Sequence, residues 1–225
     1  MNSLFCLPGY YLIEESSPTS ASNNDWFCEL FLDSEQREAE ARGISLHALA
    51  EEMAASVRCD AQALLFLPFL YGSNDNPQAR ACFIGLENTH TRSQIIRAVL
   101  EGIVFSHRVH VERLLANRDR PEAVRLAGGA ANNHTWAQMF ADVLGLPVEI
   151  IDARELGALG CAMAAAVAAG HFSDLSAAAR QMVRVRERLL PDIENKPVYD
   201  RKFALFVKAV AALDGLWQDF DAPLS

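Results

Sequence analysis

The chain alternates short apolar segments with longer stretches in which apolar side chains recur every three or four residues. Short apolar segments bounded by turn residues predict β-strands, whereas the longer recurrence predicts amphipathic helices. The predicted strands cover residues 10–14, 63–67, 81–86, 124–127 and 147–151. The predicted helices cover residues 45–57, 91–117, 157–169 and 199–220, with two more starting at Asn24 or Asp25 and at Asn132 or Asn133. Residues 180–190 fit either pattern.

The segment 157–169 differs from the other predicted helices because it consists almost entirely of Gly, Ala, Leu, Cys, Met and Val. A helix that is apolar all round is expected to be buried on most sides. Strands that alternate with long helices favour an α/β architecture, with helices covering both faces of a sheet. We therefore expect one α/β domain over residues 1–225.

Composition narrows the class of protein further. Hydrophobic residues make up 51% of the chain and charged residues 22%, as in a soluble globular domain. The net charge of −9 disfavours nucleic acid and anionic membranes as partners. The start of the chain has no targeting signal and no stretch is apolar enough to span a bilayer, so we expect a cytoplasmic protein. The five cysteines form no C-x-x-C pair and are expected to be buried, reduced thiols.

The segment after the fourth predicted strand offers the clearest binding chemistry. It reads Gly128-Gly129-Ala130-Ala131 and leads directly into a helix. Two glycines let a ligand approach the backbone closely, and the start of a helix supplies free N–H donors. The same turn also occurs as a plain structural connection. The G-x-G-x-x-G and G-x-x-x-x-G-K-[ST] patterns are absent, which disfavours Rossmann and P-loop proteins.

Three ordered segments resemble the FGGY family of carbohydrate kinases. Residues 81–102, ACFIGLENTHTRSQIIRAVLEG, are similar to the family's second signature. Residues 126–150 are similar to its adenosine-binding segment, and residues 155–170 to the Ala-Leu-Gly helix that follows. The resemblance spans residues 12–219, and the wording of residues 17–27 and 66–74 is most similar to the L-xylulose kinase group.

This resemblance implies a fold and a function. The family fold consists of two actin-like (ribonuclease H-like) ATPase domains, with sugar bound mainly by the first and nucleotide mainly by the second. The chain resembles the C-terminal, nucleotide-side domain without its first strands and without the N-terminal sugar-binding domain. ATP or ADP, Mg²⁺ in the complete enzyme and a sugar substrate such as L-xylulose are implied, and a homodimer is an assembly that the resemblance allows.

The resemblance also assigns nucleotide-binding residues. Asn133 stands at the adenine-contacting position, with its neighbour Asn132 as the alternative. The segment from Ala21 to Asp25 matches a second nucleotide-facing region, although Ala21 stands where relatives often have Gly. The implied site residues are Gly128, Gly129, Ala130, Asn132, Asn133, Ala21 and Asp25.

The chemistry of phosphoryl transfer requires more than these residues. A carboxylate base and a Mg²⁺ site are needed, and the family places both in segments upstream of those matched here. The 225-residue chain alone is therefore expected to be inactive, and no catalytic residue is assigned. The alternative is a non-catalytic actin-like module that binds nucleotide or a partner.

Other polar and aromatic residues favour structural roles. The pairs Glu14-Glu15 and Glu51-Glu52 fit a strand edge and a solvated helix face. His107 and His110 have no third ligand at a fitting spacing, so helix packing is favoured over a metal site. The predicted core includes Trp136 and Trp217.

Overall fold

The computed structural model describes residues 2–18, 20–61, 63–153 and 155–221. The strands are β1 (Asn2–Leu4), β2 (Tyr11–Ile13), β3 (Leu65–Leu67), β4 (Cys82–Ile84), β5 (Val124–Leu126), β6 (Val148–Ile151) and β7 (Val185–Leu189). The α-helices are α1 (Ser22–Phe31), α2 (Asp33–Arg42), α3 (Leu46–Ala55), α4 (Arg92–Leu115), α5 (His134–Leu144), α6 (Leu156–Ala168), α7 (Leu175–Met182) and α8 (Lys196–Leu213). Short 3-10 helices occupy Gly129–Asn132 and Asp214–Asp221. The predicted mixed α/β class is confirmed.

The strands of the described ranges pair in three small sheets. β1 pairs with β2, and β3 with β4, both antiparallel. In the third sheet β6 lies between β5, which runs parallel to it, and β7, which runs antiparallel. The parallel pair β5 and β6 is connected through α5, which also packs against this sheet. The Gly-Gly turn therefore lies at the carboxyl end of β5.

The long helix α4 forms the centre of the hydrophobic core. A capping box between Thr91 and Gln94 starts it, and residues 96–106 are buried without interruption. Gly102 permits its closest approach to a strand, because a Cβ atom there would lie 2.2 Å from the carbonyl oxygen of Phe66 in β3. The signature segment 81–102 thus builds β4 and the first part of α4, including most of its buried run.

A buried ionic cluster joins α4 to α8. The Glu101 carboxylate accepts from Arg97 Nε at 2.8 Å and from Lys202 Nζ. Arg97 also donates to the Tyr199 hydroxyl at 2.7 Å and to the Val57 carbonyl at 2.7 Å. Burial raises the pKa of Tyr199, so its hydroxyl stays protonated. Every charge in this cluster has an opposite partner, which is the condition under which buried charges are tolerated.

Several element predictions need correction. The predicted caps Asn24 and Asp25 are wrong: α1 begins at Ser22 and its N-cap, Ala21, makes no side-chain hydrogen bond. The strand β1 was not predicted. The polar helix α2 was not predicted either, because it has almost no apolar stripe. The ambiguous segment 180–190 contains the end of α7 and then β7. The C-terminal helix α8 begins at Lys196 and gives way to a 3-10 helix at Asp214.

The helix α6 has nearly the predicted bounds but not the predicted burial. None of its residues is buried. Its main contacts in the described part of the chain are with α7. An apolar composition indicates that a helix can be buried, but burial also requires packing partners on every side.

Cysteine burial was also predicted only in part. Cys28 and Cys59 are buried, as expected, whereas Cys6 and Cys161 are exposed. Within the described ranges, every helix is too short or too polar to cross a membrane.

Candidate functional site

The turn between β5 and α5 has a backbone that only glycine adopts readily. Gly128 has φ 81° and ψ −160°, a combination strained for any residue with a Cβ atom. Gly129 then opens a one-turn 3-10 helix, and Asn133 caps α5 by accepting from the Trp136 N–H at 2.7 Å. Of the two predicted helix starts, Asn132 and Asn133, the structure has Asn133 as the N-cap. The segment 128–133 thus presents its backbone at the carboxyl end of β5.

A cavity of about 400 Å³ opens beside this turn, and we name it the helix-end cavity. Three helices begin at its walls, because the N-cap residues of α1, α3 and α5 all line it. Helix N-termini carry partial positive charge, so the cavity suits an electron-rich ligand. Its lining residues are Ala21, Asn24, Asp25, Ser45, His47, Ala48, Glu51, Gly129, Asn132, Asn133 and Trp136.

The structure brings most of the sequence-predicted site residues together around this cavity. Ala21 and Asp25 from α1 face the segment containing Gly129, Asn132 and Asn133. A Cβ atom on Gly129 would lie 3.9 Å from the Cβ of Ala21, so the two walls are close there. Two predicted residues lie elsewhere: Gly128 lines a neighbouring cavity, and Ala130 is buried and borders neither.

Two carboxylates reduce the positive electrostatic potential of the helix-end cavity. Asp25 lies 3.3 Å from His47 Nε2, in an ion pair that links α1 to α3 if the imidazole is protonated. Glu51 accepts a hydrogen bond from the Thr135 N–H at 2.9 Å and so occupies a free donor of α5. These charges favour a ligand portion that donates hydrogen bonds over a polyanionic one.

The two polar atoms of the Asn133 side chain can make separate contacts. Its Oδ1 caps α5, whereas its Nδ2 makes no hydrogen bond to a described residue. An amide group at a cavity wall is well suited to reading the edge of a nucleobase. Asn133 can therefore cap the helix and contact a ligand at the same time.

A partly buried contact holds the segment that precedes α1. The Ser20 hydroxyl and His107 Nε2 of α4 are 2.6 Å apart. Burial, with a smaller contribution from His110, lowers the pKa of His107 to about 4. The imidazole is therefore neutral near pH 7, and the hydroxyl and Nε2 share a hydrogen bond whose donor depends on the tautomer of the ring. Asn23 donates to the Ser20 carbonyl at 3.1 Å, and its own Oδ1 is buried without a partner among the described residues. This contact positions one wall of the helix-end cavity.

Sequence reasoning missed the contribution of α3. Glu51 was predicted to lie on a solvated helix face, which is wrong for Glu51, although Glu52 is exposed. The residues Ser45, His47, Ala48 and Glu51 line the cavity. Their helical spacing places them on one side of α3, but only the position of the Gly-Gly turn identifies that side as functional. Trp136 is in the core as predicted, and it also belongs to the lining of the cavity.

The neighbouring cavity lies on the other side of the Gly-Gly turn, and we name it the turn cavity. Its volume is about 330 Å³. The ends of β5 and β6 line it, and Gly129 and Asn132 border both this cavity and the helix-end cavity. Arg186 of β7 and Glu155 at the start of α6 lie at its edge.

A third cavity, between α4 and α8, is larger, at about 660 Å³. Phe69, Phe203 and Phe206 line it, together with a rim that includes His110 and Arg113. None of the seven predicted site residues borders it. Its size alone does not indicate chemistry, because charged groups in its lining already have partners, as Arg113 has in Asp75.

Metal-binding chemistry is not apparent in the part of the chain that the structure describes. No group of three or more His, Cys, Asp or Glu side chains is placed there to hold an ion. His107 and His110 make the separate contacts already described.

Comparison with known proteins agrees with this arrangement of elements. The family model described as the FGGY family of carbohydrate kinases, C-terminal domain, matches residues 3–169. The L-xylulose/3-keto-L-gulonate kinase of Escherichia coli is 34% identical over 207 residues, which are 92% of this chain and 39% of that protein. The crystal structure of xylulose kinase from Rhodospirillum rubrum superposes with a TM-score of 0.81 at 31% identity, over 94% of this chain and 42% of that one. The chain thus spans about two fifths of the length of these relatives.

Proposed function

Because the chain belongs to the FGGY family of carbohydrate kinases, we propose that it forms the nucleotide-binding part of an ATP-dependent kinase for a pentulose such as L-xylulose. The observation that supports this most strongly is the helix-end cavity, where the ends of three helices meet the Gly-Gly turn. The pentulose is suggested by the relatives, among them a probable L-xylulose kinase of Haemophilus influenzae that is 33% identical over 92% of this chain.

The charges of the cavity suggest how the nucleotide lies. Asp25 and Glu51 would repel phosphate groups, but a carboxylate accepts hydrogen bonds from ribose hydroxyls or a base amino group. The nucleoside therefore occupies the helix-end cavity, with the base against the Nδ2 group of Asn133. The phosphates leave the cavity along the exposed backbone of Gly129.

The part that this chain plays in phosphoryl transfer is positioning. Transfer also requires a base at the sugar hydroxyl and a magnesium ion at the phosphates. The described residues contain no cluster that fits a metal ion, so we assign no residue of this chain to magnesium. We also assign no residue to the base. A nucleotide held in one orientation contributes to catalysis by reducing the entropy lost on reaching the transition state.

Substitutions of Asn133 separate ligand binding from helix capping. Asn133→Asp keeps the oxygen that caps α5 but removes the Nδ2 donor, whereas Asn133→Ala removes both. We expect Asn133→Asp to retain the wild-type melting temperature and to lose the preference for ADP over inosine diphosphate. Asn133→Ala should lose that preference and also about 1 kcal/mol of stability, the usual cost of an N-cap.

Isothermal titration calorimetry gives the affinities and thermal unfolding gives the stability. Exposed Asn88, in a loop away from the cavity, provides the matched control Asn88→Asp. Unchanged discrimination between the two nucleotides in both Asn133 variants would contradict base recognition by Asn133. Absence of any ADP binding by the wild-type chain would contradict the proposed function itself.

A further inference from the structure

The turn cavity lies where ligands commonly bind in α/β proteins, outside the carboxyl ends of parallel strands. Leu126 and Ala127 at the end of β5, and Ile150 and Ile151 at the end of β6, form its floor. It shares Gly129 and Asn132 with the helix-end cavity. A ligand that crosses the Gly-Gly turn can therefore occupy both.

Arg186 is directed toward this cavity by an irregularity in β7. The pairing of β6 with β7 changes register there, because Ile150 pairs with Glu187 but Ile151 pairs with Val185. Arg186 is the extra residue of this bulge. Bulges next to binding sites often redirect a side chain. Here Arg186 Nη2 reaches across to the carbonyl oxygen of Ala131, at 3.3 Å, in the 3-10 helix that follows the Gly-Gly turn.

The guanidinium of Arg186 keeps most of its hydrogen-bonding capacity. An arginine side chain has five N–H donors. In the described part of the chain, no carboxylate lies within ion-pair distance of Arg186. By contrast, Arg188, two residues further along the same strand, pairs with Glu149 at 2.9 Å. An unpaired guanidinium beside a cavity is suited to an anionic ligand group, and especially to phosphate.

The charges of the two cavities are different. The helix-end cavity contains Asp25 and Glu51 with His47, whereas the turn cavity contains Arg186 and, opposite to it in charge, Glu155. The turn cavity is therefore less negative. It also borders Gly128. A Cβ atom on Gly128 would meet no other atom within 4 Å, so a ligand has room to approach the backbone there.

We propose that the turn cavity binds the polyphosphate end of a nucleoside diphosphate or triphosphate, with Arg186 as its phosphate-contacting residue. This inference rests on the proposed function, because it requires the nucleoside to lie in the helix-end cavity. The ligand then passes over Gly129, with its base on one side of the turn and its terminal phosphate on the other.

The test measures how much the phosphate groups add to binding. Adenosine, AMP and ADP are titrated into the full 225-residue chain by calorimetry at one fixed ionic strength, and the ratio of ADP affinity to adenosine affinity is compared between variants. Arg186→Gln should lower this ratio about tenfold, because it removes a charge-assisted contact, and leave adenosine affinity unchanged. Arg186→Lys should restore part of the ratio, since the positive charge returns without the planar fork.

Two further variants test whether the effect depends on the position of the charge and on its sign. Arg188→Gln removes a positive charge from the same strand outside the cavity and should leave the ratio unchanged. Glu155→Gln removes the opposing charge at the cavity edge and should raise the ratio. Wild-type ratios in both Arg186→Gln and Glu155→Gln, with adenosine still bound, would overturn the inference while the proposed function stands. Absence of both adenosine and ADP binding by the wild-type chain would overturn the inference and the proposed function together.

Discussion

At the scale of single residues, Glu101 shows that a signature position can serve the fold. It is the last acidic residue of the signature segment, and only 1% of it is exposed. Its carboxylate pairs with both Arg97 and Lys202. Arg97 links α4 to α3 through the Ala54 carbonyl, and Lys202 lies on α8. The sequence identified the segment but not this role, because the partner Lys202 lies about one hundred residues away.

We predict that Glu101→Gln destabilises the protein by about 3–5 kcal/mol, since it leaves two buried cations with one neutral partner. Urea denaturation followed by circular dichroism measures this. The matched control is Glu112→Gln on the same helix, where an exposed carboxylate pairs with Arg108 at 2.8 Å and the expected cost is below about 1 kcal/mol. Equal, small effects of both substitutions would contradict the assigned role of Glu101.

His107 gives a pH-dependent contribution to stability whose sign follows from its lowered pKa. The imidazole has a pKa of about 4 in the folded protein and about 6.5 when exposed. Below pH 6.5 the unfolded chain binds a proton that the folded chain does not, so stability falls as the pH falls from 6.5 toward 4. Well above pH 6.5 both states are neutral, so this loss of stability is absent.

The prediction for His107 concerns this acid range. The free energy of unfolding is obtained from denaturation midpoints at pH 7 and pH 5. Its loss between these pH values should be smaller in His107→Asn than in the wild-type chain, by on the order of 1–2 kcal/mol. His171→Asn replaces an exposed histidine and should keep the wild-type difference. A His107→Asn chain with the full wild-type loss of stability on acidification would contradict a lowered pKa of His107.

At the scale of elements, two glycine-containing helices differ in what their glycines do. In α4, Gly102 allows contact with β3, and a methyl group would collide with backbone atoms of Phe66. In α6, a Cβ atom on Gly160 would meet nothing within 4 Å. The sequence predicts both helices but cannot distinguish these two environments.

Alanine substitution at the two positions should therefore have opposite effects. Gly102→Ala should destabilise the protein by about 1–3 kcal/mol, because overpacking displaces either helix or strand. Gly160→Ala should stabilise it by about 0.5–1 kcal/mol, since alanine is the better helix former. Thermal unfolding of both variants tests this, and a stabilised Gly102→Ala chain would show that α4 does not approach β3 so closely.

The elements that could be predicted were those with strong local patterns. Residues 91–117 contain a capping box and a long apolar stripe, and α4 follows them closely. The helix α2 lacks such a stripe, and α6 has an apolar surface without enough partners to bury it. Local patterns predict that an element forms, whereas its burial depends on contacts that are distant in sequence.

At the scale of the whole molecule, the segments that form the candidate site are widely separated in sequence. Residues near Ala21 and Gly129 could be assigned from the family resemblance. The contributions of Glu51 and Arg186 could not, since they depend on how α3 and a bulge in β7 are placed beside the turn. The fold was thus more predictable than the detailed lining of the site.

Catalysis is also a property of the whole molecule. We predict no sugar-dependent ADP release when the 225-residue chain is incubated with ATP, Mg²⁺ and L-xylulose in a coupled assay. A base alone contributes about 10²–10⁴-fold, and none is assigned among the residues described here. Sugar-dependent turnover would show that this chain contains a base that we did not identify. A non-catalytic module would also bind nucleotide without turnover. This assay therefore tests whether the chain alone is catalytic and does not distinguish the two proposed functions.

The most direct test of the central claim is to locate ADP on the chain by nuclear magnetic resonance. Amide chemical shifts of the ¹⁵N-labelled protein are followed during titration with ADP. We predict that the largest changes fall on residues 21–25 and 128–133, and that Asn133→Asp weakens them. Changes confined to the larger cavity between α4 and α8, with the Gly-Gly turn unaffected, would contradict the assignment of the nucleotide site.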